Sequence, residues 1–255
     1  MSVTNPKLSI HIEKEGVTIE KVTPSGMKSI KKTTVENIQR VISDNAVSQT
    51  PLLPSQWGCI KYASKNSLEF YAITVPQHIK KVSYDVHDSH ENFAEYEIVV
   101  PDALWLLSFR KQEGSEARTY HQGGVYALKG QILSGNETVY RYPFSNTNSD
   151  PWLCWGSQSS YPNVNFSRGI MTVPDQFLSN PFNHDLDSQK FVDFNYEKDN
   201  VNVSVFRTNH LFQYIDDKLK EAKEEGTQYS FPNDILISEN MNVQEAIDHF
   251  MSNRM

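Results

Sequence analysis

The sequence predicts an α+β protein, and two observations carry that reading. Between residues 60 and 142 the chain runs through short strand-like pieces joined by polar or glycine-containing connectors, the texture of an antiparallel meander. The clearest helical periodicities are gathered afterwards, towards the C-terminus, so helices and strands fall in blocks.

Taken in order, the first element is a hairpin. Leu8, Ile10 and Ile12 alternate with polar residues, Glu15-Gly16 turns the chain, and Val17, Ile19 and Val22 continue outward. Thr33 or Thr34 then caps a short helix with Val35, Ile38, Val41 and Ile42 on one face. Residues 1–50 read as an extension built of these two elements, and residues 51–255 as the main domain. The strand-like pieces are Ile60 to Ala63, Leu68 to Val75, Val82 to Val86, Glu95 to Val100, Leu104 to Phe109, Gly124 to Leu128 and Thr138 to Tyr142. Pro101 ends one of them, because proline donates no ladder hydrogen bond. From Ser145 to Arg168 the periodicity lapses into a long loop rich in Asn, Ser, Pro and aromatics. Long loops in compact domains are often functional. Leu211, Phe212, Ile215, Leu219 and Ala222 mark a helix from Thr208 to Glu225, stopped by Gly226. Val243, Ala246, Ile247, Phe250 and Met251 mark another over Asn242 to Ser252.

Composition narrows the function. Over 255 residues the net charge is −7, and no basic stripe suits a phosphate backbone, so nucleic acid is not the expected partner. The longest dense apolar run, Ala103 to Leu107, is far too short for a membrane span, and Met1 to Lys14 lacks a signal-peptide core. With two cysteines the chain fits a reducing compartment, and a cytoplasmic location is expected. There is no P-loop, dinucleotide glycine triplet or nucleophile elbow. Asp85, His87, Asp88, His90 and Glu91 offer metal ligands in one connector, but their spacing fits no tight template and reads as a solvated loop. His121 and His184 stand alone as structural histidines, and Cys59 reads as a small buried hydrophobe. No metal or cofactor is expected.

Cys154 has a different context. It closes the long loop between Leu153 and Trp155, with Gly156 after it and Asn146 eight residues before it. A cysteine that carries an acyl group needs thiolate character and a donor for the oxyanion. A loop folded back on itself would bring the Asn146 amide beside the sulfur. On these two residues alone, a buried inert cysteine remains an equal reading.

The block Tyr142-Pro143-Phe144-Ser145-Asn146 followed by Leu153-Cys154-Trp155-Gly156-Ser157 resembles the active-site approach of ubiquitin-conjugating enzymes. In those enzymes a His-Pro-Asn triplet precedes the catalytic cysteine at this separation. Together with residues 125–130, 138–141 and 173–182, it is similar to the bacterial ubiquitin-conjugating-like family D, a family with members in PRTRC systems. The similarity extends over about Leu52 to His184. It implies a UBC-like α+β fold, with a meander leading to a cysteine on a surface loop. It further implies partners: a ThiF-like activating enzyme, a ubiquitin-like modifier and, in some systems, a JAB-type peptidase. Cys154 would accept the modifier's C-terminus as a thioester and pass it to an amine, with Asn146 as the oxyanion-stabilising amide. Phe144 and Ser145 stand where the triplet has His and Pro, so only the Asn is kept. Asp150 is a candidate to deprotonate an incoming amine, or else a turn residue before Pro151. Two other readings stay open. One is a catalytically silent binding module presenting Trp152, Trp155 and Tyr161. The other is a cysteine hydrolase pairing Cys154 with His121 or His184.

Overall fold

The computed structural model of the chain describes residues 7–13, 16–23, 25–35, 37, 48–53, 58–86, 92–112, 114–148, 150–157, 161–165 and 169–254. Two compact units divide it, residues 1–48 and 49–255.

The first unit contains the expected hairpin, with β1 (Lys7–Glu13) and β2 (Gly16–Val22) in register so that Ile10 faces Ile19. A third strand, β3 (Lys28–Thr33), pairs antiparallel with β2, and a Lys28–Glu20 ion pair crosses the two strands. The sequence hid β3 because Ile30 is its only aliphatic residue and every strand position is exposed or half-buried. Most of the helix expected after Thr34 lies outside the described residues.

The second unit is α+β and mostly antiparallel. Its main sheet runs β15–β11–β10–β9–β6–β5–β4, where β4 is Ser48–Gln49, β5 Cys59–Lys65, β6 Leu68–Val75, β9 Ala103–Lys111, β10 Ala117–Ala127, β11 Thr138–Arg141 and β15 Ser238–Asn242; β12 (Asn163–Asn165) joins β10 from the side. Three helices follow the long loop: the short α1 (Val173–Leu178), then α2 (Thr208–Glu225) and α3 (Val243–Arg254). Side chains alternate across a strand, and here both faces are covered. Tyr71, Ile73, Trp105, Leu107, Phe109 and Val125 enter one core together with Leu211, Phe212, Ile215 and Leu219 of α2. Phe70, Ala72, Leu104, Leu106 and Tyr126 enter a second core together with Val243, Ala246, Ile247 and Phe250 of α3. The unbroken apolar run Ala103 to Leu107 is thereby explained, because from Ala103 to Phe109 neither face of β9 meets water.

The meander departs from sequence order at one place. β6 pairs along its whole length with β9, Leu68 to Arg110 through Val75 to Ala103. β7 (His78–Asp85) and β8 (Phe93–Val100) fold out as a separate ribbon. Tyr84 and Tyr96 of this ribbon pack on Phe212 at ring separations of 6.4 and 5.8 Å, so aromatic burial against α2 holds it. In the connector read as a solvated loop, His87, Asp88, His90 and Glu91 lie outside the described residues, while Asp85 ends β7 and is buried. A second ribbon, β13 (Phe194–Lys198) with β14 (Val201–Val205), turns at Asp199 and Asn200, whose φ angles of 52° and 61° make the two-residue turn matched to strand twist.

Candidate functional site

The loop from Tyr142 to Gly156 is ordered by four sets of contacts. First, it pairs with β10: Leu153 N–H donates to the Gly123 carbonyl at 3.0 Å, and Val125 N–H to that of Pro151 at 3.0 Å. Second, it closes on itself, since Cys154 N–H donates to the Asn146 carbonyl at 2.8 Å and Asn148 N–H to that of Trp152 at 3.1 Å. The Asn148 side chain accepts the N–H groups of Asp150 and Trp152, setting the turn before Pro151. Third, Asp187 caps the N-terminus of α2 by accepting from Thr208 N–H and Oγ1–H, and Thr208 Oγ1 accepts Ser145 N–H at 3.0 Å. Fourth, the buried Lys190 ammonium donates to the Thr147 carbonyl, to Thr147 Oγ1 at 3.2 Å and to the Asn148 carbonyl at 3.1 Å. Asn146 sits at the pivot of these bonds in the left-handed region, φ 63°, a conformation that asparagine tolerates better than most residues.

Rings anchor the flanks. Phe144 is fully buried against Phe212 at 5.0 Å and Tyr142 at 5.2 Å, and Trp155 packs on Phe177 at 5.2 Å and Tyr120 at 5.5 Å. Between the half-buried Leu153 and the buried Trp155, Cys154 is exposed. It opens into a hollow of about 220 Å³, which Asn146 shares with Asn180, Pro181 and Asp185. Asn146 Nδ2 donates to the Pro181 carbonyl at 2.9 Å. A carboxamide nitrogen carries two hydrogens, so that contact commits only one of them. Asn180 also lines this hollow, with its Nδ2 buried and without a hydrogen-bond partner among the described residues.

Cys154 and Asn146 are therefore brought together, while Asp150 is not part of their hollow. It lies exposed at a separate one with Tyr126, Trp152 and Glu239. The carboxylate beside Cys154 is that of Asp185. Neither His121 nor His184 lines the cysteine's hollow. Trp155 is 5% exposed and Trp152 half-buried against Phe250, so of the three aromatics proposed as a patch only Tyr161 is exposed. Cys59 is half-buried, and burial pushes its thiol up. Among the described residues no group of three or more His, Cys, Asp or Glu is placed to hold a metal ion, and no helix is long and apolar enough to cross a membrane.

Sequence reasoning missed Asn180, Asp185 and Lys190. A lysine in a polar stretch reads as solvated, yet Lys190 is 2% exposed. Burial, and then the nearby Arg141 charge, bring its ammonium down to about 8, although Asp187 and Glu239 pull the other way. The unfolded chain thus binds more protons than the folded one between about pH 8 and the ordinary lysine value of 10.5. Stability is lower where Lys190 is charged and rises with pH through that window. Urea unfolding from pH 7.5 to 10 is expected to show this rise in the wild type and a flatter profile in Lys190→Met. The variant is also expected to be less stable by about 1–3 kcal/mol at pH 10, because it leaves the Thr147 and Asn148 carbonyls without their donor. Parallel pH profiles would remove Lys190 as the titrating group.

No family model matches the chain, and neither a curated protein nor a solved structure does.

Proposed function

We propose that the chain is a ubiquitin-conjugating-like carrier with a UBC-like fold, which accepts a ubiquitin-like modifier as a thioester on Cys154 and transfers it to an amine. The observation that supports this reading is the exposed Cys154 thiol, which shares a hollow with the Asn146 side-chain amide while the Cys154 backbone N–H donates to the Asn146 main-chain carbonyl. In loading, the Cys154 thiolate attacks the thioester carbonyl carried by the activating enzyme. A new carbon–sulfur bond forms, the old one breaks, and the enzyme's thiolate leaves to collect a proton. In discharge, an amine attacks the Cys154 thioester. The carbon–nitrogen bond forms, Cys154 leaves as thiolate, and the amine's proton passes to Asp185 or water. Negative charge gathers on the carbonyl oxygen in both steps, where the second N–H of the Asn146 amide is a donor. The expected partners are a ThiF-like activating enzyme and the modifier, with a JAB-type peptidase acting on the product in some systems, and the expected location is cytoplasmic.

Intact-mass analysis with a ThiF-like enzyme, a ubiquitin-like protein and ATP tests this. Wild type is expected to gain one modifier mass that thiol reductant removes. Cys154→Ser should show a reductant-stable ester or no adduct. Absence of any adduct beside a demonstrably active activating enzyme would leave the chain as a silent binding module of the same system.

A further inference from the structure

The hollow that holds Asp150 has its own chemistry. It measures about 90 Å³ and is walled by Gly124 and Tyr126 of β10, Asp150 and Trp152 of the loop, Glu239 of β15 and Phe250 of α3. Gly124 lets the loop backbone come close to β10, since a Cβ there would stand 3.2 Å from the Pro151 carbonyl oxygen. Two carboxylates reach it, and their states differ. Glu239 is paired with Arg141 at 2.8 Å, so its charge is offset. The Asp150 carboxylate has no ion pair or hydrogen bond among the described residues, since only its backbone N–H is engaged. His249 stands at the exposed rim.

Tyr126 supplies an independent observation. The residue is 3% exposed, yet its hydroxyl makes no hydrogen bond among the described residues. The ring is buried while the hydroxyl lines the hollow beside Glu239 and Asp150, where its oxygen is open to accept a hydrogen bond from whatever fills it. Burial, then Glu239 and Asp150, push this hydroxyl up to about 12, which marks the local field as negative. Trp152, half-buried and packed on Phe250 with ring centres 5.2 Å apart, adds an aromatic wall.

We propose that this hollow binds a primary alkylammonium group, with Asp150 as counter-charge, the Tyr126 hydroxyl as hydrogen-bond acceptor and Trp152 as the aromatic face. An anion would meet a carboxylate, and an uncharged apolar group would leave Asp150 and the Tyr126 hydroxyl desolvated and unbonded. A divalent cation needs more oxygen ligands than one uncompensated carboxylate supplies. The volume admits a head group and its first methylenes, so the ammonium arrives on the end of a chain, either a lysine side chain or a free alkylamine. The site stands whether or not Cys154 carries a modifier.

NMR titration of the full chain with n-butylammonium and with neutral n-pentanol tests this, following the Trp152 indole. Butylammonium is expected to shift that signal saturably and to bind at least about fivefold more tightly than pentanol. Asp150→Asn should weaken butylammonium about fivefold and Tyr126→Phe about two- to threefold, with Cys154→Ser unchanged. Nα-acetyl-lysine methylamide and spermidine, titrated in parallel, separate a lysine side chain from a free amine as the source. Equal binding of pentanol and butylammonium overturns the proposal, as does an Asp150→Asn variant that binds like wild type. If a variant failed to fold, the comparison of the two ligands on wild type would still decide.

Discussion

Asn146→Ala is expected to slow acyl transfer through Cys154 by about 10²–10³, equivalent to ~3 kcal/mol of transition-state stabilisation. In the proposed mechanism this side chain donates to the developing oxyanion in both loading and discharge, so single-turnover rates of the two steps should fall together. Alanine also introduces a backbone penalty, because residue 146 sits at φ 63° and Cβ disfavours that region by about 1–2 kcal/mol. Slow transfer by Asn146→Ala alone therefore does not distinguish a lost donor from a distorted loop. Asn146→Gly separates the two causes, since glycine adopts the angle freely but has no amide. Both variants are expected to be slow, with the glycine variant keeping its Cys154 N–H bond to the residue 146 carbonyl. An Asn146→Gly protein that transfers at the wild-type rate would remove the amide from the mechanism.

Phe144→Ala is expected to cost about 3–5 kcal/mol of stability, which lowers the melting temperature by roughly 6–20 °C for a domain of this size. Phe144 has no exposure and meets the rings of Tyr142, Phe182, Phe212 and Phe231 at 5.2, 6.1, 5.0 and 6.3 Å. Few neighbours can collapse into the void, because the surrounding rings are themselves held by α2 and by one another. The position also lies two residues before Asn146. Below the melting transition, Phe144→Leu should recover part of the stability. A loss under about 1 kcal/mol in Phe144→Ala would show that the ring cluster repacks and does not hold the loop.

The helices α2 and α3 were legible because each carries an apolar stripe at steps of three and four, and Gly226 closes α2 with φ 69°. The main-sheet strands were legible too, as alternating or continuous apolar runs. Their order was not. Nothing local tells β6 to skip β7 and β8 and pair with β9, since that choice is made by which apolar faces meet α2. The start of β10 was hidden by Arg118, Thr119 and His121, polar residues that sit on a bulged strand where register slips between Tyr120 and Gln122. The β13–β14 ribbon did carry a signal in Asp199-Asn200, a pair of residues tolerant of positive φ. At the candidate site, Cys154 and Asn146 could be singled out because they lie on one loop. Asn180, Asp185 and Lys190 come from segments that only tertiary structure brings to that loop, so no spacing rule finds them. The separation of Asp150 from Cys154 is of the same kind. Four residues apart in sequence, they face different hollows because the loop turns at Pro151 and pairs with β10 between them.

Covering the sheet on both faces also sets an order of events during synthesis. The face that carries Phe70, Leu104, Leu106 and Tyr126 is closed by α3, whose residues 243–254 leave the ribosome after every strand of the main sheet. At about 5–20 residues per second, the nascent sheet has a greasy side open to the cell for several seconds after β9 and β10 have emerged. For that interval the apolar face is exposed to association, and its protection rests on a helix not yet made.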